Sequence, residues 1–145
     1  MGTYRGVILD VDFIKGIVVP IVTPIRDDES IDEDAFRTHI DFMIDKGVDG
    51  LLAFGSNGEF YMMEEDEMDE VLSILIDQVK GRVPVYMGIG AIRTKKCVRL
   101  AQLAVKHGAD GISILQPMFL KPTEEELYLH FRAIAESVSS LPVLL

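Results

Sequence analysis

The chain has 145 residues, 48% of them hydrophobic, and its 14 lysines and arginines against 24 aspartates and glutamates give a formal net charge of −10. This length and composition are typical of one folded domain, and the acidic balance argues against a nucleic-acid or anionic-membrane partner. The single cysteine, Cys97, cannot form an internal disulfide, and neither a signal-peptide pattern nor an apolar run of about 20 residues stands out. We therefore expect a cytoplasmic protein without a membrane span.

The chain begins with a predicted extension, followed by a strand and a helix. Residues 1–15 show no sustained hydrophobic period and are expected to form an amino-terminal extension. Residues 16–23 are a short β-branched run typical of a buried strand, although Pro20 is awkward inside a sheet. Ser30 and Glu33 have the spacing of a capping box for the helix that follows. The apolar stripe of this helix is Phe36, Ile40, Met43 and Ile44, closed by Gly47.

The same alternation of strand and helix occurs three more times. Strands are predicted at residues 50–54, 83–87 and 111–115, and a fifth at residues 141–145. The apolar helix faces between them are Met68, Val71, Leu72, Leu75 and Val79; Cys97, Leu100, Ala101 and Ala104; and Leu127, Phe131, Ile134 and Val138. Thr123 and Glu126 have capping-box spacing at the start of the last helix.

A weak internal echo supports this register, since residues 46–51 resemble residues 106–112 and both segments lie where a helix gives way to a strand. Four strand–helix units with buried parallel strands predict an α/β protein, either doubly wound or a (β/α)8 TIM barrel. A closed barrel takes about 250 residues. Residues 16–145 are therefore expected to supply about its first half, with four βα units and the start of a fifth strand.

The most informative candidate site follows the second predicted strand. Parallel-sheet enzymes place their sites at the carboxyl ends of the strands. Here Gly55 and Gly58 bracket Ser56 and Asn57, which favours a tight turn whose amides and side chains bind a carboxylate or phosphate. A plain turn with polar side chains is the alternative, and the glycine spacing does not decide between them.

The other residues that could carry chemistry are better explained by structural roles. Gly88 and Gly90 lack the third glycine of a dinucleotide fingerprint and are interpreted as close-packing positions. The acidic runs at residues 27–34 and 64–70 are typical of solvated helix starts. The histidines show no ligand spacing, and Cys97 falls on an apolar stripe. We predict no metal and no cofactor.

Several of these segments, in order, resemble the dihydrodipicolinate synthase/N-acetylneuraminate lyase family. The resemblance runs from about Gly16 to Leu145 and implies the first half of a (β/α)8 barrel. It is carried by Thr23-Pro24, Gly55-Ser56-Asn57-Gly58-Glu59, Pro84-Val85, Gly88, Gly90-Ala91, Pro117, Leu127-Tyr128 and His130-Phe131.

The resemblance implies a class I aldolase or lyase, in which a lysine forms a Schiff base with pyruvate or another 2-oxo acid and no cofactor is needed. It assigns the pyruvyl carboxylate to Ser56 and Asn57, with backbone support from Gly58. The family's catalytic tyrosine and Schiff-base lysine belong to its fifth and sixth strands and fall beyond Leu145. A homo-oligomer, dimer or tetramer, is also implied.

Two departures from the family bear on the substrate. Phe119 stands where the synthases place a tyrosine from a neighbouring subunit in a hydroxyl relay at the substrate site. The positions of the lysine-feedback cleft fall on Glu65, Met68, Ile92, Lys96 and Met118, unlike the usual set. The second departure predicts no inhibition by lysine. Phe119, together with the segment Gly55–Phe60, favours an aldolase or lyase that acts on a hydroxylated 2-oxo acid or a 2-keto-3-deoxy sugar acid. The alternatives are 4-hydroxy-tetrahydrodipicolinate synthase of lysine biosynthesis, which condenses pyruvate with aspartate semialdehyde, and a non-catalytic half-barrel that pairs its open edges with a partner.

Overall fold

Five strands alternate with four helices in the computed structural model, which describes residues 3–4, 7–8, 10–119 and 121–145. The strands are β1 (Val18–Pro20), β2 (Gly50–Ala53), β3 (Val85–Ile89), β4 (Gly111–Ile114) and β5 (Val143–Leu144); the helices are α1 (Glu33–Asp45), α2 (Glu65–Val79), α3 (Thr94–His107) and α4 (Glu124–Ser137). None of the described helices is long and apolar enough to span a lipid bilayer. Residues 1–2, 5–6 and 9 of the predicted extension, and Leu120, lie outside the described residues.

The five strands form one parallel sheet in which each strand pairs with the next in chain order. A doubly wound sheet contains a point where the strand order reverses, and the described sheet contains none. Right-handed crossovers between sequential parallel strands place all four helices on one side of the sheet. The prediction of the first half of a (β/α)8 barrel is therefore confirmed.

The side of the sheet that faces the helices holds the hydrophobic core. Leu51, Met87 and Ile112 are completely buried there, because alternate strand residues point to the same face. The predicted stripes of α2 and α3 are buried against them: Met68, Val71, Leu72, Leu75 and Val79, and Cys97, Leu100, Ala101 and Ala104. Full burial stabilises the fold by about 1.5–3 kcal/mol for each large side chain, which holds the helices on the sheet.

The last helix, α4, begins as the spacing predicts. The Thr123 hydroxyl accepts from the Glu126 amide at 3.3 Å, and the Glu126 carboxylate accepts from the Thr123 amide at 2.8 Å. Ile134 and Val138 are buried as expected, whereas Leu127 is only partly buried.

The predicted capping box of α1 is wrong. Asp32 is the cap, and its carboxylate accepts from the Ala35 amide at 3.1 Å. Ser30 instead donates through its hydroxyl to the Asp28 carboxylate at 2.7 Å, while Glu33 is already the first helical residue. Aspartate and serine are both good caps, so their side-chain chemistry did not decide which of them would start the helix.

The internal echo corresponds to one hydrogen-bonding arrangement repeated at two strand starts. The Asp49 amide donates to the Ile17 carbonyl at 2.8 Å, and the Asp49 carboxylate accepts from the Ile17 amide at 2.7 Å. Asp110 makes the same two bonds with Val85, each at 2.8 Å. Each aspartate therefore pairs both backbone groups at the start of the neighbouring strand, which gives the repeated sequence a structural cause.

The described residues before β1 include a short strand pair and one contact with the sheet. Two short strands, Thr3–Tyr4 and Val7–Ile8, pair in antiparallel fashion. Phe13 stacks on Tyr86 of β3, with ring centroids 6.3 Å apart and planes 12° from parallel. The segment before β1 thus covers part of the inward face of the sheet.

Candidate functional site

The segments that follow β1 and β2 are joined by two hydrogen bonds. The Ile21 amide donates to the Leu52 carbonyl at 3.0 Å, which extends the ladder beyond β1. The hydroxyl of the buried Thr23 donates to the Gly58 carbonyl at 3.2 Å. Because β1 and β2 are parallel, both segments lie at the carboxyl edge of the sheet, where barrel enzymes place their sites.

A short 3-10 turn, Ser56–Gly58, follows β2 and contains three of the predicted substrate-binding residues. Two residues other than glycine bracket it in the left-handed conformation, Phe54 at φ 56° and Glu59 at φ 54°. Such conformations cost about 1–3 kcal/mol each and persist only where the surroundings hold them. The side chain of Phe54 is completely buried, which holds the entry to the turn.

Glycine spacing predicted this turn correctly, but the glycines are not the residues that turn. Gly55 has φ −71° and ψ 179°, and Gly58 is not among the residues with positive φ. Gly58 is required by packing instead, because an added Cβ would lie 3.0 Å from the Ile21 carbonyl oxygen. The turn therefore depends on the left-handed conformations of Phe54 and Glu59.

The side chains of Ser56 and Asn57 are exposed, and neither has a hydrogen-bond partner among the described residues. The Gly58 amide donates to the Gly55 carbonyl at 3.0 Å, so Gly58 stabilises the turn and its amide is not open to a ligand. A hydroxyl and a carboxamide with free donors, side by side at the end of a parallel strand, can bind a carboxylate or phosphate.

The two glycines around the end of β3 are packing positions, as the sequence predicts. A Cβ on Gly88 would overlap the carbonyl oxygens of Ala53 and Phe54, and a Cβ on Gly90 would overlap the ring of Phe60. The third strand thus lies directly against the backbone that leads into the Ser56–Gly58 turn.

A cleft of about 350 Å³ opens beyond the ends of β3 and β4. Phe119 lines it, is 93% exposed and has φ 69°. Ser56, Asn57 and Gly58 do not line it, so the structure places the four predicted substrate-binding residues in two regions, the turn and the cleft. The cleft is lined by Phe60, Tyr61, Met63, Gly90, Ala91, Ile92, Arg93, Lys96, Leu115, Gln116, Met118 and Phe119.

Three of the five positions that the resemblance assigned to a feedback cleft line this space: Ile92, Lys96 and Met118. The other two do not. Met68 is part of the core, and Glu65 forms an ion pair with Arg99, whose guanidinium lowers the pKa of the Glu65 carboxyl. The structure therefore divides that set between the cleft, the core and the outer surface.

The other side chains that could react or bind a metal do not form a site in the described part of the chain. Cys97 is completely buried, its thiol donates to the Ala91 carbonyl at 3.4 Å, and burial raises the pKa of the thiol. Lys121, which follows β4, is exposed. In the described part of the chain no three histidine, cysteine, aspartate or glutamate side chains are grouped so that they could hold a metal ion.

Sequence analysis missed two buried polar groups. Within the described residues, the Tyr86 hydroxyl and the His130 Nε2 are the buried side-chain nitrogen and oxygen atoms that lack a hydrogen-bond partner. The other ring nitrogen of His130, Nδ1, lies 2.8 Å from the Thr94 hydroxyl. Tyr86 falls inside an apolar strand and His130 at a helix position without metal-ligand spacing, so residue pattern alone gave no signal for either.

The half-barrel and the polar turn at the end of its second strand define a class of protein, the (β/α)8 barrels with sites at the carboxyl ends of their strands. The model of the dihydrodipicolinate synthetase family matches residues 13–145, and the chain belongs to this family.

Curated relatives and solved structures agree with this assignment. The chain is 43% identical over 130 residues to 4-hydroxy-tetrahydrodipicolinate synthase of Pelobacter propionicus, covering 90% of this chain and 44% of the relative. It is 46% identical over 125 residues to the Oleidesulfovibrio alaskensis protein of the same name, covering 86% and 42%. The chain thus spans less than half the length of these relatives.

Two similar structures carry ligands. One is YagE, a prophage protein of the dihydrodipicolinic acid synthase family from E. coli K12 in complex with pyruvate, with a TM-score of 0.85 and 38% identity over 88% of this chain and 43% of that one. The other is CdNal from Clostridium difficile in complex with mannosamine, with a TM-score of 0.86 and 30% identity over 90% and 45%.

Proposed function

We propose that the chain is the first half of a pyruvate-dependent, Schiff-base-forming lyase of the kind named 4-hydroxy-tetrahydrodipicolinate synthase. The observation that carries the proposal is the pair of free donors, Ser56 and Asn57, at the carboxyl end of β2. The names of the Pelobacter and Oleidesulfovibrio relatives support the synthase over the hydroxylated 2-oxo acid aldolase that the sequence departures favour. In this proposal residues 16–145 form the half-barrel domain and residues 1–15 an extension.

In the proposed site Ser56 and Asn57 bind the carboxylate of pyruvate, while Thr23 and Gly58 hold their turn in place. The carbonyl carbon of pyruvate condenses with a lysine amine and water leaves. A base then removes a proton from the methyl group, and the electrons of that C–H bond move toward the protonated imine to give an enamine. The enamine carbon adds to an aldehyde, whose oxygen takes up a proton. The family resemblance places this lysine, and a tyrosine that transfers protons, beyond Leu145.

The test uses the chain followed by a second barrel half, and measures the pyruvate concentration needed for borohydride trapping of the imine. Ser56→Ala and Asn57→Ala each remove a charge-assisted hydrogen bond worth roughly 1.5–3 kcal/mol, so the apparent affinity is expected to fall roughly 10- to 150-fold. Ser73→Ala, at an exposed position on α2, is the matched control. Unchanged affinity in both site variants would contradict the proposal.

The 145-residue chain alone is expected to form no borohydride-stable adduct with pyruvate. A Schiff-base amine needs the lowered pKa of an enclosed site, and Lys121, the lysine of the loop after β4, is exposed. Mass spectrometry after reduction gives the answer, and an adduct on any lysine of this chain would contradict the expectation.

A second candidate function, cleavage or synthesis of a hydroxylated 2-oxo acid, is favoured by Phe119. Its ring lines the cleft and carries no hydroxyl for a proton relay. Rates with aspartate semialdehyde and with a 2-keto-3-deoxy sugar acid separate the two functions. If the synthase is the correct assignment, semialdehyde is the better substrate and Phe119→Tyr raises its rate further, whereas a preference for the sugar acid supports the second candidate.

The proposed enzyme is a homo-oligomer, and a second copy of the chain covers the exposed apolar side chains around the cleft. These are Tyr61, Ile92, Met118 and Phe119, which are 57%, 50%, 40% and 93% exposed. Exposed apolar side chains that line one cleft are typical of an interaction site. Sedimentation of the full-length protein and of its Phe119→Asp variant tests this arrangement. A cytoplasmic location belongs to the same proposal and rests on the single, free Cys97.

A further inference from the structure

Ser113 places a hydroxyl on the inward face of β4. Its neighbours Ile112 and Ile114 are buried in the helix-facing core. Because successive residues of a strand point to opposite faces, Ser113 shares the inward face with Gly111. A Cβ on Gly111 would lie 3.0 Å from a ring carbon of Tyr86, so that ring covers the inward position that precedes Ser113.

The hydroxyl of Ser113 is unpaired and accessible. Ser113 is only partly buried and makes no hydrogen bond with another described residue. Within the same residues, the enclosed side-chain atoms that lack a partner are those of Tyr86 and His130, so the unpaired hydroxyl of Ser113 is not enclosed. A serine hydroxyl offers one donor and two acceptor lone pairs. It can therefore bind an oxygen of a ligand that approaches from the barrel axis.

The register of the sheet brings Ser113 close to the backbone of the candidate site. Ser113 pairs with Gly88 of β3, and a Cβ on Gly88 would overlap the carbonyl oxygen of Phe54. Phe54 leads directly into the Ser56–Gly58 turn. Neighbouring strands lie about 4.8 Å apart, so Ser113 is about one strand spacing from the point where this backbone meets β3. Because residue 88 is glycine, no side chain separates the two.

We propose that Ser113 is a specificity-determining residue, whose hydroxyl binds an oxygen on the aldehyde-derived part of the substrate, beyond the reacting carbonyl group. This inference rests on the proposed function, in which Ser56 and Asn57 bind the carboxylate of pyruvate. With the carboxylate bound at the turn after β2, the remaining carbon chain extends away from that turn, and Ser113 offers a free hydroxyl on the side of β4. A site that hydrogen-bonds an oxygen of its substrate disfavours the analogue that lacks it. The enzyme is therefore expected to prefer oxygen-bearing aldehydes to alkyl aldehydes.

The test joins residues 1–145 to the part of the Pelobacter propionicus relative that follows its matched segment, and compares three aldehydes. Ser113→Ala is expected to lower kcat/KM with glyceraldehyde, with aspartate semialdehyde or with both by about 2- to 12-fold or more, since one hydrogen bond is lost. The value with propanal, whose only oxygen is the reacting one, is expected to stay the same. The aldehyde that responds identifies the oxygen as a hydroxyl or a carboxylate.

Two variants control this comparison. Ser113→Thr keeps the hydroxyl and should retain most of the preference for oxygen-bearing aldehydes. Ser73→Ala, at an exposed position on α2, should change none of the three values. In the 145-residue chain alone, Ser113→Ala should leave Tm unchanged, because its hydroxyl has no partner among the described residues. A lowered Tm would contradict the inference, since it would show that the hydroxyl is bound within the fold.

The kinetic outcomes separate this inference from the proposed function. Equal values for Ser113→Ala and the unmodified protein with both oxygen-bearing aldehydes would overturn the inference, and so would an equal loss with all three aldehydes. An unmodified protein that forms the pyruvate imine but prefers neither oxygen-bearing aldehyde to propanal would also overturn it, while leaving the pyruvate site intact. An unmodified protein that traps no pyruvate would contradict the proposed function and this inference together.

Discussion

The two faces of the sheet differ in how completely this chain fills them. On the helix-facing side, Leu51, Met87 and Ile112 are completely buried against helix stripes. On the inward side, Leu115 is 37% exposed, and the buried hydroxyl of Tyr86 has no partner within the described residues. The described residues therefore pack a core between the sheet and the helices. On the inward face, by contrast, they bury the side chains only in part.

Adjacent leucines on β2 give the largest expected difference between the two faces. Leu51 is completely buried toward the helices, and Leu52 is partly buried on the inward face. Leu51→Ala is expected to lower the free energy of unfolding by about 2–5 kcal/mol and Leu52→Ala by about 1 kcal/mol, in urea titrations of the 145-residue chain. Equal losses would contradict the comparison. In the closed barrel the cost at Leu52 should rise, because the second half covers that face.

Two glycines near the Ser56–Gly58 turn provide the next test. Gly88→Ala forces a methyl group against the carbonyl oxygens of Ala53 and Phe54, and is expected to cost about 1–3 kcal/mol. Gly55→Ala places its methyl 3.4 Å from Pro20, in ordinary contact, at φ −71°, and is expected to cost less than about 0.5 kcal/mol. Thermal unfolding of both variants checks this order, and a reversed order would show that the third strand does not lie against the turn as described.

The helix-facing core could be predicted from sequence because the apolar spacing within a single helix is enough to identify its buried face. Periodicity identified every buried residue of α3 and all of those of α2 except Ile74, since helical spacing brings such residues onto one face whatever the partner is. The strand order also followed, because short βαβ connections leave few topologies. Element boundaries were less predictable: Asp32 and Ser30 offered equivalent caps for α1, and the strand predicted at residues 83–87 is Val85–Ile89.

The site was less predictable because its geometry depends on residues distant in sequence. Glycine spacing found the Ser56–Gly58 turn, but the left-handed conformations fell on Phe54 and Glu59, which no local pattern indicates. Gly58 is glycine because Ile21, on another strand, approaches it. For the same reason the unpaired hydroxyl of Tyr86 had no sequence signal, since it depends on what neighbouring strands leave open. The assignment of Ser56, Asn57, Gly58 and Phe119 to substrate stays a prediction.

The two aspartates at the strand starts allow a partly buried hydrogen bond to be compared with an exposed one. Asp110→Ala removes the acceptor of the part-buried Val85 amide and is expected to cost about 1–1.5 kcal/mol. Asp49→Ala removes the equivalent acceptor of the Ile17 amide at an exposed position, where water replaces it, and is expected to cost about 0.5 kcal/mol. Urea unfolding of the two variants measures the difference, and a larger loss at Asp49 would contradict the burial argument.

The smallest expected effect is a pH dependence that arises on the helix-facing side, at His130. Burial lowers the pKa of this imidazole below its ordinary 6.5, so the unfolded chain binds the proton more tightly than the folded one. Stability is therefore full above about pH 6.5 and declines as the pH falls toward the folded pKa, with a slope that cannot exceed about 1.4 kcal/mol per pH unit for one proton. Urea titrations at pH 7.5, 6.5 and 5.5 should show this decline, and His130→Gln, which keeps a polar partner for Thr94, should reduce it. The matched control His39→Gln should retain it. If the stability of His130→Gln falls with pH as much as that of the unmodified chain, the loss arises from other titrating groups and not from His130.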